Sequence, residues 1–179
     1  MKRAAFVIII TMLCMACTQE PKRPRHRMLT QKEHTELNKK MFLRDSLLIT
    51  RYCIAQGLDS VPTASGIWLT ITKNGNGDTI RIGEKVRITY IISDMLSGEV
   101  YYRTDSAIGK RAIDKPYIIE AAKGQAISGI DDVITLLTDG SEATLVLQPD
   151  KAYGLIGDED RINGRRLLVY RIRTEKIKS

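Results

Sequence analysis

The segment that decides the fold covers residues 116–157 and reads PYIIEAAKGQAISGIDDVITLLTDGSEATLVLQPDKAYGLIG. Its first part, Tyr117 to Glu120, has the β-rich composition of a short strand. A compact helix is predicted from Gly129 to Leu137, because the turn signal Asp139-Gly140 follows it. Glu142 to Leu147 then alternates as a second strand and runs into a loop. This order of elements predicts an α+β domain.

The rest of residues 63–179 adds strands to this frame. Ile67 to Lys73 is alternating and β-rich, and Val100 to Tyr102 follows a turn at Ser97-Gly98. Two longer strands are indicated by apolar residues at every second position: Val86, Ile88, Tyr90 and Ile92 in one, and Leu168, Tyr170 and Ile172 in the other. Residues 103–115 have the composition of a surface loop. We therefore expect an antiparallel sheet wrapped on one short helix.

Residues 30–62 are predicted to form an N-terminal helical segment, as one helix or as two joined near Asn38. Thr30 and Glu33 have the spacing of a capping box, and Gly57 suits a helix C-terminus. Apolar residues recur near the helical period: Leu37, Met41, Leu48, Tyr52 and Ala55, with Phe42, Leu47 and Ile49 widening the face. Such a face needs a partner. The candidates are the following domain, a second copy in a homodimer, or an envelope-complex partner through residues 30–57.

The first 16 residues are typical of a signal peptide. Lys2-Arg3 is a positive start, Ala4 to Met15 is an apolar run, and Ala16 precedes Cys17. This pattern resembles a bacterial lipoprotein signal, which implies cleavage before Cys17 and a lipid on that residue. A plain secretory signal and an uncleaved anchor are the alternatives. The third cysteine, Cys53, is predicted to be a small buried residue on a helix.

The basic charge of the chain is concentrated near its N-terminus. The formal net charge is +7, and residues 22–44 alone carry +6, whereas the residues after 44 sum to zero. A folded part without a basic patch argues against nucleic-acid binding. Residues 17–29 read as an anchor and linker, either close to anionic lipid headgroups or as a solvated tether.

The order of landmarks from about residue 66 to 177 resembles the FK506-binding-protein (FKBP) type of peptidyl-prolyl isomerase. The matching positions are the Tyr90 strand, the Gly98 turn with an aromatic three residues later, Pro116-Tyr117, Ala126-Ile127-Ser128-Gly129, Gly140, the loop from Pro149 to Gly154 with Gly157, and Leu168-Val169-Tyr170. The signal, the helical leader and Thr63 to Trp68 are in addition similar to lipoprotein FKBPs of Bacteroidetes-type bacteria, including the gliding-motility-associated isomerases. Trp68 is expected to pack the leader helix on the sheet.

The resemblance implies a pocket for the proline of a polypeptide client. Its walls would be Tyr90, Tyr101, Tyr117, Tyr153, Ile162 and Tyr170, with Tyr102 beside them, Ala126 and Ile127 at the helix entry and Ile130 as the floor. The backbone N–H of Ile127 and the hydroxyl of Tyr153 would donate hydrogen bonds to the substrate. The reaction needs no metal and no cofactor, and both histidines, His26 and His34, lie in the stem.

Three positions depart from the family pattern. Ile130 replaces a tryptophan floor, Tyr102 stands where an aspartate is usual, and Asp158 replaces a frequent histidine. The sequence therefore supports two hypotheses. The first is a lipid-anchored isomerase in the cell envelope, at the outer membrane facing the periplasm, that assists the folding of exported proteins. The second is an FKBP-fold binding or chaperone module with little or no turnover.

Overall fold

A computed structural model describes residues 28–106 and 113–177. The predicted signal peptide, Cys17 and the linker up to residue 27 lie outside these residues, as do residues 107–112 of the predicted surface loop. The described residues fall into two units, which divide between Glu36 and Leu37. In the first unit, the Thr30 backbone N–H donates to Glu33 Oε2 at 2.8 Å, and the Glu33 N–H donates to Thr30 Oγ1 at 3.3 Å. The predicted capping box is confirmed.

The second unit contains a seven-stranded sheet in which every pairing is antiparallel. The strands are β1 (Val61–Pro62), β2 (Trp68–Lys73), β3 (Lys85–Asp94), β4 (Val100–Arg103), β5 (Tyr117–Glu120), β6 (Glu142–Leu147) and β7 (Leu168–Lys176). Their order in the sheet is β1-β2-β6-β7-β3-β4, and β5 also pairs with β3. The predicted bounds of β5 and β6 are confirmed.

Two helices accompany the sheet. α1 runs without interruption from Gln31–Ala55, so the leader is one helix. It ends as predicted at Gly57, where φ is 64° and the Leu58 N–H donates back to the Cys53 carbonyl at 2.9 Å. α2 covers Ser128–Val133 and continues as a 3₁₀ turn, Ile134–Leu136, which confirms the predicted short helix.

The sheet is buried on both faces. Alternate residues of β7, Leu168 and Tyr170, join one apolar cluster, whereas Val169 between them joins another. We call the first the site-side cluster, because it contains the residues of α2, such as Ile130 and Val133. The second is the helix-side cluster, which holds Ile49, Cys53, Trp68, Met95, Val146, Leu167 and Val169. Trp68 therefore packs α1 on the sheet, as expected.

The buried face of α1 agrees with the predicted one only in part. Ile49 is buried, and Leu48 and Tyr52 pack against the helix-side cluster, whereas Leu37 is 44% exposed and Ala55 is exposed. The prediction was too wide because α1 carries apolar residues on more than one side. Cys53 is a free, buried cysteine, as predicted.

Candidate active site

The ten predicted pocket residues all belong to the site-side cluster. They are brought together because β3 and β7 are neighbours, with Ile92 opposite Tyr170, and α2 and the loop after β6 close over them. Five form a buried base: Tyr90, Tyr101, Ile130, Ile162 and Tyr170. Five form a partly exposed rim: Tyr102, Tyr117, Ala126, Ile127 and Tyr153.

Stacked aromatic rings connect the base to the rim. The rings of Tyr90 and Tyr117 are stacked with their centroids 4.3 Å apart, and the Tyr90 hydroxyl donates to the Lys115 carbonyl at 2.9 Å. The Tyr117 hydroxyl lies 3.4 Å from the hydroxyl of Tyr153. Burial and the neighbouring tyrosine hydroxyls raise the pKa of Tyr117, and burial raises the pKa of Tyr90. Both hydroxyls therefore stay protonated at neutral pH.

The hydroxyl of Tyr170 is the exception in this network. Its residue is fully buried, and the hydroxyl has no hydrogen-bond partner in the part of the chain that the structure describes. Burial, followed by the charges that would develop on Tyr153 and Tyr117, holds the pKa of Tyr170 well above its usual range. An interaction with the neighbouring Tyr153 hydroxyl also raises this pKa, although no hydrogen bond to the Tyr170 hydroxyl is formed among the described residues. A buried hydroxyl without a hydrogen-bond partner lowers the free energy of unfolding, so the buried part of the site is not optimised for stability.

The helix entry is formed by Ile127, the N-cap residue of α2, with φ −60° and ψ 149°. Its carbonyl accepts hydrogen bonds from the N–H groups of Ile130 at 2.9 Å and Asp131 at 3.1 Å. The N–H of an N-cap residue lies outside the helical ladder. It is the group that the resemblance assigns to a substrate carbonyl.

The loop that carries Tyr153 is fastened to α2. A Cβ atom on Gly129 would meet the Lys151 carbonyl oxygen at 2.7 Å and a Leu147 methyl at 2.8 Å, so the close approach requires glycine. Lys151 Nζ forms an ion pair with Asp132 Oδ2 at 2.9 Å. The Gly154 N–H donates to the Pro149 carbonyl at 2.7 Å. These contacts fix the position of Tyr153 relative to the helix entry.

A carboxylate organises the rim, but it comes from a different position than in the family pattern. The Tyr102 hydroxyl donates to Asp158 Oδ2. Asp158 Oδ1 accepts the backbone N–H groups of Asp160, Arg161 and Ile162 at 3.0, 2.9 and 2.8 Å. Burial tends to raise the pKa of Asp158, but these hydrogen bonds, led by that from Tyr102, hold it below its usual value. The residues at the two departing positions are thus hydrogen-bonded to each other.

Arg161 completes this side of the rim. Its guanidinium lies over the Tyr102 ring, 4.3 Å from the centroid, and donates to Asp114 Oδ1 at 2.8 Å and to the Tyr101 carbonyl at 3.2 Å. Sequence reasoning missed both Arg161 and Asp114. No local pattern in the sequence marks them, because these two residues lie 47 positions apart.

Residues 28–106 and 113–177 contain neither a metal-binding cluster nor a membrane-spanning helix. Among these residues, no cluster of histidine, cysteine or acidic side chains could hold a metal ion. None of the helices there has the length and apolar content needed to cross a bilayer.

Comparison with known families agrees with this geometry. A family model described as FKBP-type peptidyl-prolyl cis-trans isomerase matches residues 77–174, which include β3 to β6, α2 and most of β7. The chain belongs to this family. It is an FKBP-type peptidyl-prolyl isomerase, and FKBP domains bind proline-containing peptides.

Individual FKBP relatives match almost over their whole length. The chain is 28% identical over 116 residues to FK506-binding protein 1 of Gibberella zeae, covering 63% of this chain and 98% of that protein. It is 30% identical over 121 residues to peptidyl-prolyl cis-trans isomerase Fkbp12 of Drosophila melanogaster, covering 68% and 98%.

Solved structures show the same fold. A peptidyl-prolyl cis-trans isomerase from Pseudomonas syringae has a TM-score of 0.58 and 20% identity, covering 78% of this chain and 93% of that one. The crystal structure of AtFKBP13 has a TM-score of 0.55 and 21% identity, covering 68% and 98%. The predicted FKBP-like sheet with one short helix is confirmed.

Proposed function

We propose that the rim of the site-side cluster receives the proline of an exported polypeptide and lowers the barrier to rotation of its X–Pro bond. The observation that carries this assignment is that all ten predicted pocket residues share one cluster, with Ile127 and Tyr153 on its partly exposed side. The residues of the rim supply aromatic surface and few charges, as a proline site requires.

The proposed chemistry depends on environment and not on proton transfer. Rotation of the amide faces a barrier of about 20 kcal/mol, and the uncatalysed change at proline takes tens of seconds or longer. A planar amide is charge-separated, so an apolar site disfavours it relative to the twisted form. The Ile127 N–H and the Tyr153 hydroxyl then donate hydrogen bonds to the carbonyl groups of the twisted peptide.

Replacement of one hydroxyl tests this proposal. We expect Tyr153→Phe to lower kcat/KM for a short X–Pro peptide by about three- to tenfold, the value of one hydrogen bond. Tyr52→Phe is the matched control, because Tyr52 packs against the helix-side cluster. Equal rates for wild type and Tyr153→Phe would contradict the assignment of the hydroxyl, and an unaltered relaxation rate with wild-type protein would contradict turnover itself.

We further propose that the chain is a lipoprotein of the cell envelope, lipidated at Cys17 and similar to the Bacteroidetes-type lipoprotein FKBPs. The support is the signal pattern of residues 1–16 and the neutral balance of the domain after residue 44. Its expected place is the outer membrane, facing the periplasm, where it would assist the folding of exported proteins. Cys17→Ser in the full-length chain should lose membrane retention, and a variant that still fractionates with membranes would contradict the lipid anchor.

A binding function is the second candidate, favoured by the aliphatic floor Ile130 and by a groove of about 570 Å³ next to the Tyr153 loop. The groove is lined by Phe42, Leu155 and Pro149 among others, but not by Tyr153. Suppression of aggregation of an unfolded proline-containing protein separates the two functions. If Phe42→Ser loses the suppression of aggregation and Tyr153→Phe retains it, the binding function is supported. If Tyr153→Phe loses it and Phe42→Ser retains it, the isomerase function is supported.

A further inference from the structure

α1 also carries exposed apolar side chains on a second side, which faces away from the sheet. Leu43, Leu47 and Ile54 are 54%, 63% and 74% exposed. At about 100° per residue, these three side chains share an arc of about 40°, centred about 140° from the buried Asp45, Ile49 and Cys53. We call these three residues the outer stripe.

The charges around the outer stripe have one sign. Between Leu37 and Ala55 the exposed charged residues of α1 are all basic: Lys39, Lys40, Arg44 and Arg51. The acidic residue of this part of the helix is Asp45, which is buried and accepts hydrogen bonds from Arg44 at 2.8 and 3.0 Å. The outer side therefore combines exposed apolar side chains with basic residues, of which Arg44 is paired with Asp45.

We infer that the outer stripe and its flanking basic residues form a docking surface for an anionic lipid bilayer. A helix of this kind lies in the plane of the interface, with its apolar side chains inserted and its basic ones at the headgroups. A second copy fits less well, because two such faces would bring like charges together. The inference depends neither on the isomerase reaction nor on a lipid at Cys17.

Vesicle binding tests this surface. All described helices and strands lie between residues 31 and 176, so a chain beginning at residue 18 keeps each of them and lacks the apolar signal. We expect this chain to co-sediment with vesicles made of equal parts phosphatidylglycerol and phosphatidylcholine, and much less with vesicles of phosphatidylcholine alone. Added salt should weaken the binding.

Substitutions identify the residues responsible. Lys40→Gln with Arg51→Gln should weaken binding about 25-fold, since each basic residue near a charged bilayer contributes about fivefold. Leu43→Ser, Leu47→Ser and Ile54→Ser together should weaken it by about tenfold or more. The matched controls are Lys123→Gln and Ile82→Ser, which change an exposed cation and an exposed apolar residue outside α1. They should leave binding unchanged.

Three results would overturn the inference. They are a failure of the wild-type chain to bind anionic vesicles, equal binding by the α1 variants and the controls, and a dimer in sedimentation that dissociates in Leu47→Ser while vesicle binding is absent. The last result would assign the outer stripe to a second copy. Unchanged X–Pro turnover in all variants is expected, so a failure here leaves the proposed isomerase function standing.

Discussion

The two apolar clusters that cover the faces of the sheet are built from different side chains. Six of the seven tyrosines of the chain contact the site-side cluster, whereas the remaining one, Tyr52, packs at the margin of the helix-side cluster. The helix-side cluster is otherwise aliphatic, with one tryptophan, one methionine and one cysteine. One face thus carries tyrosine hydroxyls, and the other packs α1 on the sheet. Substitutions should separate accordingly into effects on turnover and effects on stability.

The largest effect is expected in the helix-side cluster. Trp68→Ala should lower the free energy of unfolding by about 3–5 kcal/mol, because a large side chain that is 7% exposed leaves a cavity. Denaturant unfolding measures this loss. Ile71→Ala, on the same strand but 43% exposed, is the control and should cost far less. Turnover of a short X–Pro peptide per folded molecule should stay at the wild-type value; a fall in the folded Trp68→Ala protein would mean that the two clusters are not separate in function.

The rim carboxylate should affect both properties. Asp158→Ala removes the acceptor of three backbone N–H groups and of the Tyr102 hydroxyl, so the free energy of unfolding should fall by about 2 kcal/mol. The value of kcat/KM should fall severalfold, because Ile162 and Tyr102 lose their positions. Tyr102→Phe breaks only the hydrogen bond from the Tyr102 hydroxyl. Its free energy of unfolding and its kcat/KM should therefore lie between those of Asp158→Ala and wild type. A loss of stability with unchanged kcat/KM would reduce Asp158 to a structural residue.

The buried hydroxyl of Tyr170 predicts a gain of stability. Tyr170→Phe removes a group without a hydrogen-bond partner among the described residues, so the free energy of unfolding should rise by about 1 kcal/mol. Thermal unfolding measures this gain in stability. The Tyr90 hydroxyl donates to the Lys115 carbonyl, so Tyr90→Phe should instead lower the free energy of unfolding. Destabilisation by Tyr170→Phe would show that the hydroxyl has a partner in solution.

The smallest effect concerns pH. The pKa values of Tyr90, Tyr117 and Tyr170 are raised, and the pKa of Asp158 is lowered, so none of these four groups titrates between about pH 5 and 9. The pH profile of kcat/KM should be flat there. A carboxyl with a lowered pKa stabilises the fold above its unfolded value of about 3.9 and loses this contribution as the pH falls through the folded value. Stability from Asp158 should therefore decline only below about pH 4, and an inflection near neutral pH would contradict a mechanism without proton transfer.

Much of the fold was predictable because its signals are local. The bounds of β5 and β6 follow from apolar and β-branched runs bounded by turn residues, and Gly57 fixed the end of α1. Which side of α1 packs on the sheet was not predictable in this way. The apolar residues of α1 lie on two sides, and the buried side is the one that packs with Trp68 and Val169 in the helix-side cluster.

The site likewise contains residues that were predictable from the sequence and contacts that were not. The family resemblance placed ten residues, and the structure brings all ten into one cluster. The link between Tyr102 and Asp158 joins positions 56 residues apart, so no local pattern could reveal it. The unpartnered state of Tyr170 likewise depends on the exact approach of neighbouring side chains, which only three-dimensional packing determines.

The most direct test of the central claim is a titration of the isotope-labelled chain, starting at residue 18, with a short X–Pro peptide, followed by amide chemical shifts. We predict that the amide signals of Ile127, Tyr153 and Ile162 move with a common saturating dependence on peptide concentration, while those of Ile49 and Cys53 on the other side of the sheet do not. Shifts confined to α1 and the helix-side cluster, or no shifts in the site-side cluster at saturating peptide, would contradict the assignment of the proline site.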